Sequence, residues 1–271
     1  FAEENQDENL VILQNFSRVY WPAFNINTIG TWDTKDGYTV KVLEETEIEI
    51  IGVKDANDTI SFVAGWNYLP LISDCEVPTD GLFSELVASN QLVIVHEIAG
   101  PGLYWPEQGI NTLPVLTRGK AYMVKVTEVC EVNFPDCDPS QTFSVPSFDL
   151  PEMPWQMVSG TPVQNFLVIP GAFSNVIRRG DVVGAFTTDG ICAGAVEITG
   201  AGNHAVVLYG DDPTTPVKDG FTNGESIVLS LYRPSTSEVI RLQFDVDGTG
   251  STTFGIRQMR EIQQIEMEIT D

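Results

Sequence analysis

Tyr20-Trp21-Pro22 returns as Tyr104-Trp105-Pro106, 84 positions further along a chain of 271 residues, and its surroundings return with it. At the same offset Ile26-Asn27-Thr28 becomes Ile110-Asn111-Thr112, Tyr38 becomes Tyr122, and Val40-Lys41-Val42 becomes Val124-Lys125-Val126. Ten of the 23 positions from Tyr20 to Val42 are identical. A match of that density marks the duplication of one supersecondary unit, which must bury its apolar face against a neighbour.

Each copy opens on an apolar run, Leu10-Val11-Ile12-Leu13 and Leu92-Val93-Ile94-Val95. The offset between these runs is 82, so the second copy carries two extra residues, placed in the turn Gly100-Pro101-Gly102, where insertions are tolerated. After Tyr-Trp-Pro comes an Asn-Thr turn and then an alternating strand, Tyr38 to Val42 or Tyr122 to Val126. Between the copies, Glu47 to Ile50 alternates, and Ile60 to Val63 leads into Gly65-Trp66-Asn67, a segment without a second copy. An isolated strand pair is marginal in water, so the copies are expected to pack around this middle segment.

Pro135, Pro139, Pro146, Pro151 and Pro154 crowd the next stretch. Proline fixes φ and removes a ladder donor, which makes 135–154 an extended linker between a duplicated β module, 1–134, and a C-terminal domain, 155–271. The latter offers seven short strands: Phe166 to Ile169, Val182 to Phe186, Cys192 to Ile198, Ala205 to Tyr209, Ile227 to Tyr232, Val239 to Val246 and Gln264 to Ile269. Seven strands separated by Gly/Asn/Asp turns predict a β-sandwich, and the whole chain an all-β, mostly antiparallel fold.

Acidic residues outnumber basic ones 38 to 14, for a net charge of −24. Such a field repels phosphate backbones, so nucleic acid is not an expected partner. No run approaches the 18 or more apolar residues of a membrane helix, and no transmembrane segment is expected. Residues 1–9 form a polar, acidic tail. Of four cysteines, Cys130 and Cys137 flank Asn133-Phe134-Pro135-Asp136, a turn expected to bring them into a disulfide, with Cys75 and Cys192 left over.

Catalytic patterns are missing from the sequence. His96 and His204 lack neighbouring nucleophile motifs, and neither Gly-x-Ser-x-Gly nor His-Glu-x-x-His occurs. A non-enzymatic role is therefore expected. Tyr20, Trp21, Trp66, Tyr104 and Trp105 admit two readings: the core of a small β unit, or flat rings that stack on sugars or anchor a protein. Asp211, Asp212, Asp219 and Glu225, in a Gly/Pro-rich loop, likewise read either as hard oxygen ligands for calcium or as ordinary turn chemistry. Asp245-Val246-Asp247-Gly248 opens like a calcium loop but lacks the remaining ligands, and Asn15-Phe16-Ser17 and Asn57-Asp58-Thr59 match the glycosylation sequon.

The order Leu-Val-Ile-Val, Tyr-Trp-Pro, Ile-Asn-Thr, Val-Lys-Val and Gly-Trp-Asn resembles a module of large secreted surface proteins of Bacteroidota, many of them exported by the type IX secretion system. Arg179 to Phe186, Gly190 to Gly194 and Gly210-Asp211-Asp212 are similar to a second module of those proteins. The resemblance implies an extracellular or cell-surface location and an adhesive, display or attachment role. Extracellular polysaccharide or a surface protein is then the expected partner, with carbohydrate binding or self-assembly into a fibre as alternatives.

Overall fold

The computed structural model describes residues 9–47, 57–137, 143, 150–158, 160–246, 248 and 252–268. Of the described residues 42% are strand and 8% helix, a nearly all-β fold. It divides into two compact units, Phe1–Glu97 with Leu113–Val145, and Ile98–Thr112 with Pro146–Asp271. Residues 98–112, which the sequence assigns to the first domain, thus group with the C-terminal strands. Of the expected linker, Pro139 and Pro146 lie outside the described residues, as do most of the acidic tail, Ile48 to Ile50, Asp247 and Ile269.

In chain order the strands are β1 (Leu10–Gln14), β2 (Val19–Trp21), β3 (Ile26–Asn27), β4 (Thr39–Val42), β5 (Thr59–Phe62), β6 (Gly65–Leu69) and β7 (Val77–Pro78). Two short helices follow, α1 (Thr79–Leu82) and α2 (Ser84–Ala88). Then come β8 (Leu92–Glu97), β9 (Leu103–Trp105), β10 (Ile110–Asn111), β11 (Val115–Leu116), β12 (Tyr122–Val126) and β13 (Cys130–Asn133). The first copy of the repeat is a sheet in the order β3-β2-β1-β4. In the second copy, β9 and β10 reproduce the β2/β3 hairpin, and β8 and β12 reproduce the β1/β4 pair. The two extra residues are shared between β8, one residue longer than β1, and the connection 98–102, one residue longer than 15–18.

Local chemistry explains why these residues are repeated. Trp21 and Trp105 share one extended conformation, φ −127° and ψ 91° against −129° and 87°. The following proline opens a single 3-10 turn, where its fixed φ fits and its missing N–H is no loss. Asn25 and Gly109 close that turn in the left-handed region, at φ 52° and 64°, and the N–H of each bonds to the proline carbonyl at 2.9 and 3.0 Å. Thr28 Oγ1 accepts from Val19 N–H at 2.7 Å, as Thr112 Oγ1 does from Leu103 N–H at 3.0 Å. Tyr38 and Tyr122 hydroxyls accept the N–H five residues upstream, from Asp33 at 3.1 Å and Thr117 at 2.8 Å.

The middle segment touches both copies. β6 runs antiparallel to β12 along its whole length, from Leu69 opposite Tyr122 to Gly65 opposite Val126. Tyr68 packs its ring on Phe16 of the first copy at 4.3 Å. A Cβ on Gly37 would stand 2.7 Å from Tyr68 Cβ, so only glycine permits that approach.

The disulfide joins Cys75 to Cys137, with Cα atoms 5.4 Å apart, and the expected Cys130–Cys137 bond does not form. The expected turn is absent because Cys130 to Asn133 is strand β13, paired with β5, and Phe134 N–H still bonds Asp58 O beyond its end. Extended chain advances about 3.3 Å per residue, which by Phe134 has carried it well beyond disulfide reach of Cys130. Cys130 keeps a half-buried free thiol, its pKa raised by burial and then by Glu128.

The second unit contains β14 (Gln164–Ile169), β15 (Val182–Phe186), β16 (Cys192–Glu197), β17 (His204–Tyr209), β18 (Val228–Arg233), β19 (Glu238–Val246) and β20 (Met259–Met267). All seven expected strands are present. They form one hydrogen-bond order, β16-β15-β18-β19-β20-β14-β17, rather than two separate ladders. The sheet curls until it is nearly closed, with β16 against β17. Gly194 makes that approach possible, since a Cβ there would lie 2.3 Å from Val207 O. Leu167, Val183, Leu208, Leu229, Leu231 and Ile262 fill the interior, beside the stacked rings of Phe221 and Phe254.

Candidate interaction surface

Equivalent side chains of the two copies differ in burial although their backbones agree. Ile26 is 39% exposed and its counterpart Ile110 4%; Val40 is 42% exposed and Val124 0%. Trp32 is exposed, whereas Leu116 at the matching position is buried. Phe24, 64% exposed, is the last residue of the turn that Pro22 opens, with its ring edge-on to Trp21 at 4.5 Å and 68°. Trp21 faces Ile26 across β2 and β3, so Trp21, Phe24 and Ile26 cluster at the hairpin. Isolated exposed apolar side chains are ordinary; here two of them, Phe24 and Ile26, adjoin the half-buried Trp21 on one hairpin.

The five aromatic residues singled out in the sequence do not form a row. Tyr20 and Trp21 are consecutive in β2 and face opposite sides, both half-buried. Trp66, in β6, lies edge-on to His96 at 5.5 Å and beneath Lys125 Nζ at 5.6 Å. Tyr104 is half-buried, and Trp105 is a buried side chain, 5% exposed. Phe24, Ile26 and Val40 are instead among the exposed apolar side chains of the first copy, with Phe16, Trp32 and Leu43. A signal for the first was available in the repeat: position 24 is phenylalanine where the second copy has Gln108.

The acidic loop is occupied by its own turn. Asp211 accepts from Asp219 N–H and Asp219 from Asp212 N–H, each at 2.9 Å, while Asp212 accepts from Thr214 N–H and Oγ1–H at 2.9 and 2.6 Å. Glu225 binds Lys218 Nζ at 2.8 Å and the N–H groups of Thr188 and Thr222 at 2.9 Å. Burial alone would raise the Glu225 pKa, but the Lys218 hydrogen bond, followed by those from Thr222 and Thr188, brings it down to about 2. Among the described residues no group of three or more His, Cys, Asp and Glu side chains is placed to hold a metal ion.

Both histidines are held by neighbouring backbone, and His204 Nε2 also lies 3.4 Å from Thr199 Oγ1. His96 is buried in β8, its Nδ1 3.2 Å from Glu97 O. His204 Nε2 accepts from Thr199 N–H at 3.0 Å, and burial lowers its pKa, so the ring is held neutral as a structural acceptor. In the second unit, a cavity of about 430 Å3 is lined by Ile110, Asn111, Glu197, Asn203, His204 and Tyr209 among others. Of its polar lining, Asn203 donates to Gln108 O and accepts from Gly171 N–H.

Asp181, in the stretch Arg179 to Phe186, is buried with Arg233. The guanidinium grips it through Nε at 3.1 Å and Nη2 at 2.9 Å, and Arg178 N–H adds a bond at 2.9 Å. Arg233 is raised above its ordinary pKa chiefly by that hydrogen bond. This stretch therefore locks the start of β15, and its carboxylate is turned inward. Comparison of the chain with protein-family models, with curated proteins and with solved structures found no match.

Proposed function

We propose that this chain is a non-enzymatic module for extracellular attachment, adhesion or display, with the first-copy hairpin as its contact surface. The observation that carries the reading is the pair of exposed side chains Phe24 and Ile26 beside half-buried Trp21, on a backbone whose duplicate is buried at the corresponding tryptophan and isoleucine. Anchors of this kind, a few aromatic and aliphatic side chains on a rigid element, are what protein and glycan contacts use. The Cys75–Cys137 bond supports an oxidising, extracellular setting. The net charge of −24 supports a surface that stays soluble and avoids nucleic acid.

Extracellular polysaccharide is the partner class with a second supporting observation: Trp32 stacks on Tyr38 at 4.2 Å and 26°, close to the exposed hairpin in sequence. The test is a polysaccharide array probed with the whole chain and with a Phe24→Ser/Ile26→Ser variant that melts like the parent. Binding lost in the variant supports the hairpin surface, and binding unchanged in it refutes that surface. An array without a signal removes the glycan partner. Size-exclusion at rising concentration then distinguishes self-assembly, which the same variant must weaken.

A further inference from the structure

The cavity of about 430 Å3 in the second unit lies between a piece of the repeat and the strands it groups with. On one side stands the second-copy hairpin, through Pro101 and Gly109–Thr112, and on the other stand β16 and β17. Alternation along those strands decides which side chains reach the space. Val196, and Ile198 just past the end of β16, pack into the core, so Ala195 and Glu197 stand on the opposite face. In β17 Val206 and Leu208 belong to the core, which leaves Ala205 and Val207 turned the other way. Ala195, Ala205 and Val207 are short, and the hairpin that faces them therefore leaves a space of the size that holds a small organic molecule.

The polar groups around that space differ in what they have left to offer. His204 Nε2 accepts from Thr199 N–H, and the ring also bonds the Gly202 backbone. Asn203 is held by Gln108 and Gly171, and Thr112 Oγ1 accepts from Leu103 N–H. Glu197 is half-buried at the cavity wall and, among the described residues, its carboxylate has no hydrogen bond or ion pair. No lysine or arginine lines the cavity among the described residues, so no fixed cation there answers its charge. A carboxylate beside apolar walls is best matched by a cation that brings its own hydrogen-bond donors. The net charge of −24 draws such a cation in and turns anions away.

We propose that this cavity is a binding site for an organic amine, an ammonium group on an apolar body, with Glu197 as its counter-ion and Ile110, Met157 and Val207 as its apolar walls. A free amine and the lysine side chain of another polypeptide share that chemistry, and the test separates them. The site belongs to the second unit and the Phe24 and Ile26 surface to the first, so neither reading depends on the other.

The test uses the whole chain, carbon-13 labelled at the methyl groups of its five methionines. Met157 lines the cavity and reports on it, while Met123, buried in the first unit, is the control. Tryptamine is the probe, beside its neutral isostere 3-propylindole and the anion indole-3-propionate. Tryptamine should shift the Met157 resonance saturably, leave Met123 in place, and bind about tenfold more tightly than either analogue. Glu197→Gln keeps the shape and should weaken tryptamine by about tenfold, to the level of 3-propylindole. Ala205→Leu keeps the carboxylate but fills the space, and should abolish binding of both. Nα-acetyl-lysine methylamide then separates the sources: comparable saturation assigns the site to a lysine side chain, and no shift assigns it to free amines. Three results overturn the proposal: no saturable Met157 shift with either amine up to its solubility, equal affinity for tryptamine and indole-3-propionate, or tryptamine affinity unchanged in Glu197→Gln. Should that variant fail to fold, the three indoles on the parent chain still decide the sign of the charge the cavity accepts.

Discussion

Trp21 and Trp105 occupy the same place in two copies of one unit, and the structure assigns them unequal energetic weight. Trp105 is 5% exposed, so replacing it with alanine removes a core side chain and leaves a cavity, at a cost of about 3–5 kcal/mol. Trp21 is half-buried against Phe24, and the apolar area lost with it is roughly half as large, giving ~1.5–2.5 kcal/mol. Urea unfolding of Trp105→Ala and Trp21→Ala, followed by far-UV circular dichroism, measures both costs against the parent. Each kcal/mol lost corresponds to a drop in melting temperature of roughly 2–4 °C. Equal costs for the two variants, or a cost under about 1 kcal/mol for Trp105→Ala, would refute the assignment of one copy to the core and the other to the surface.

Three further measurements follow from the packing. Opening the Cys75–Cys137 loop, which spans 62 residues, by Cys75→Ser/Cys137→Ser should cost about 4 kcal/mol of stability to chemical denaturation, while Cys130→Ser leaves it nearly unchanged. Asp181→Asn strands the Arg233 charge in the interior and should cost about 3–5 kcal/mol, with the Asp181→Leu/Arg233→Met pair costing less than the single change. Glu225 has a folded pKa of about 2 against an ordinary 4.5, so its stabilising effect is full above pH 4.5 and fades as pH falls toward 2. Melting temperatures recorded from pH 6 to pH 2 should therefore fall more steeply for the parent than for Glu225→Gln across that window.

The strands of the second unit were legible because their residues obey a period of two between turn residues, and β15 matches its expected bounds, Val182 to Phe186. The end of β20 was harder. Ile256, Met259 and Ile262 also fit a helical spacing, and only the pairing with β19 and β14 resolves Met259 onward into strand. The cysteine pairing was not legible, since proximity along the chain says nothing of proximity in space once β13 runs straight. Nor was the exposure of the first copy. Identical residues gave identical backbones in the two copies, but burial depends on what packs over them, and repeat sequences are silent on that. The Asp181–Arg233 pair, 52 positions apart, lay beyond any local pattern.

The order of strands in the second unit has a bearing on synthesis. Within its seven-stranded sheet the earliest strand, β14, is flanked by β17 and by the latest of the seven, β20, which it joins in parallel at Phe166 to Val168. A ribosome releasing this chain must finish Met259–Met267 before β14 and β19 can be bridged. Until then both keep a bare margin, and a product cut short ahead of Met259 would remain an unsealed, association-prone ribbon.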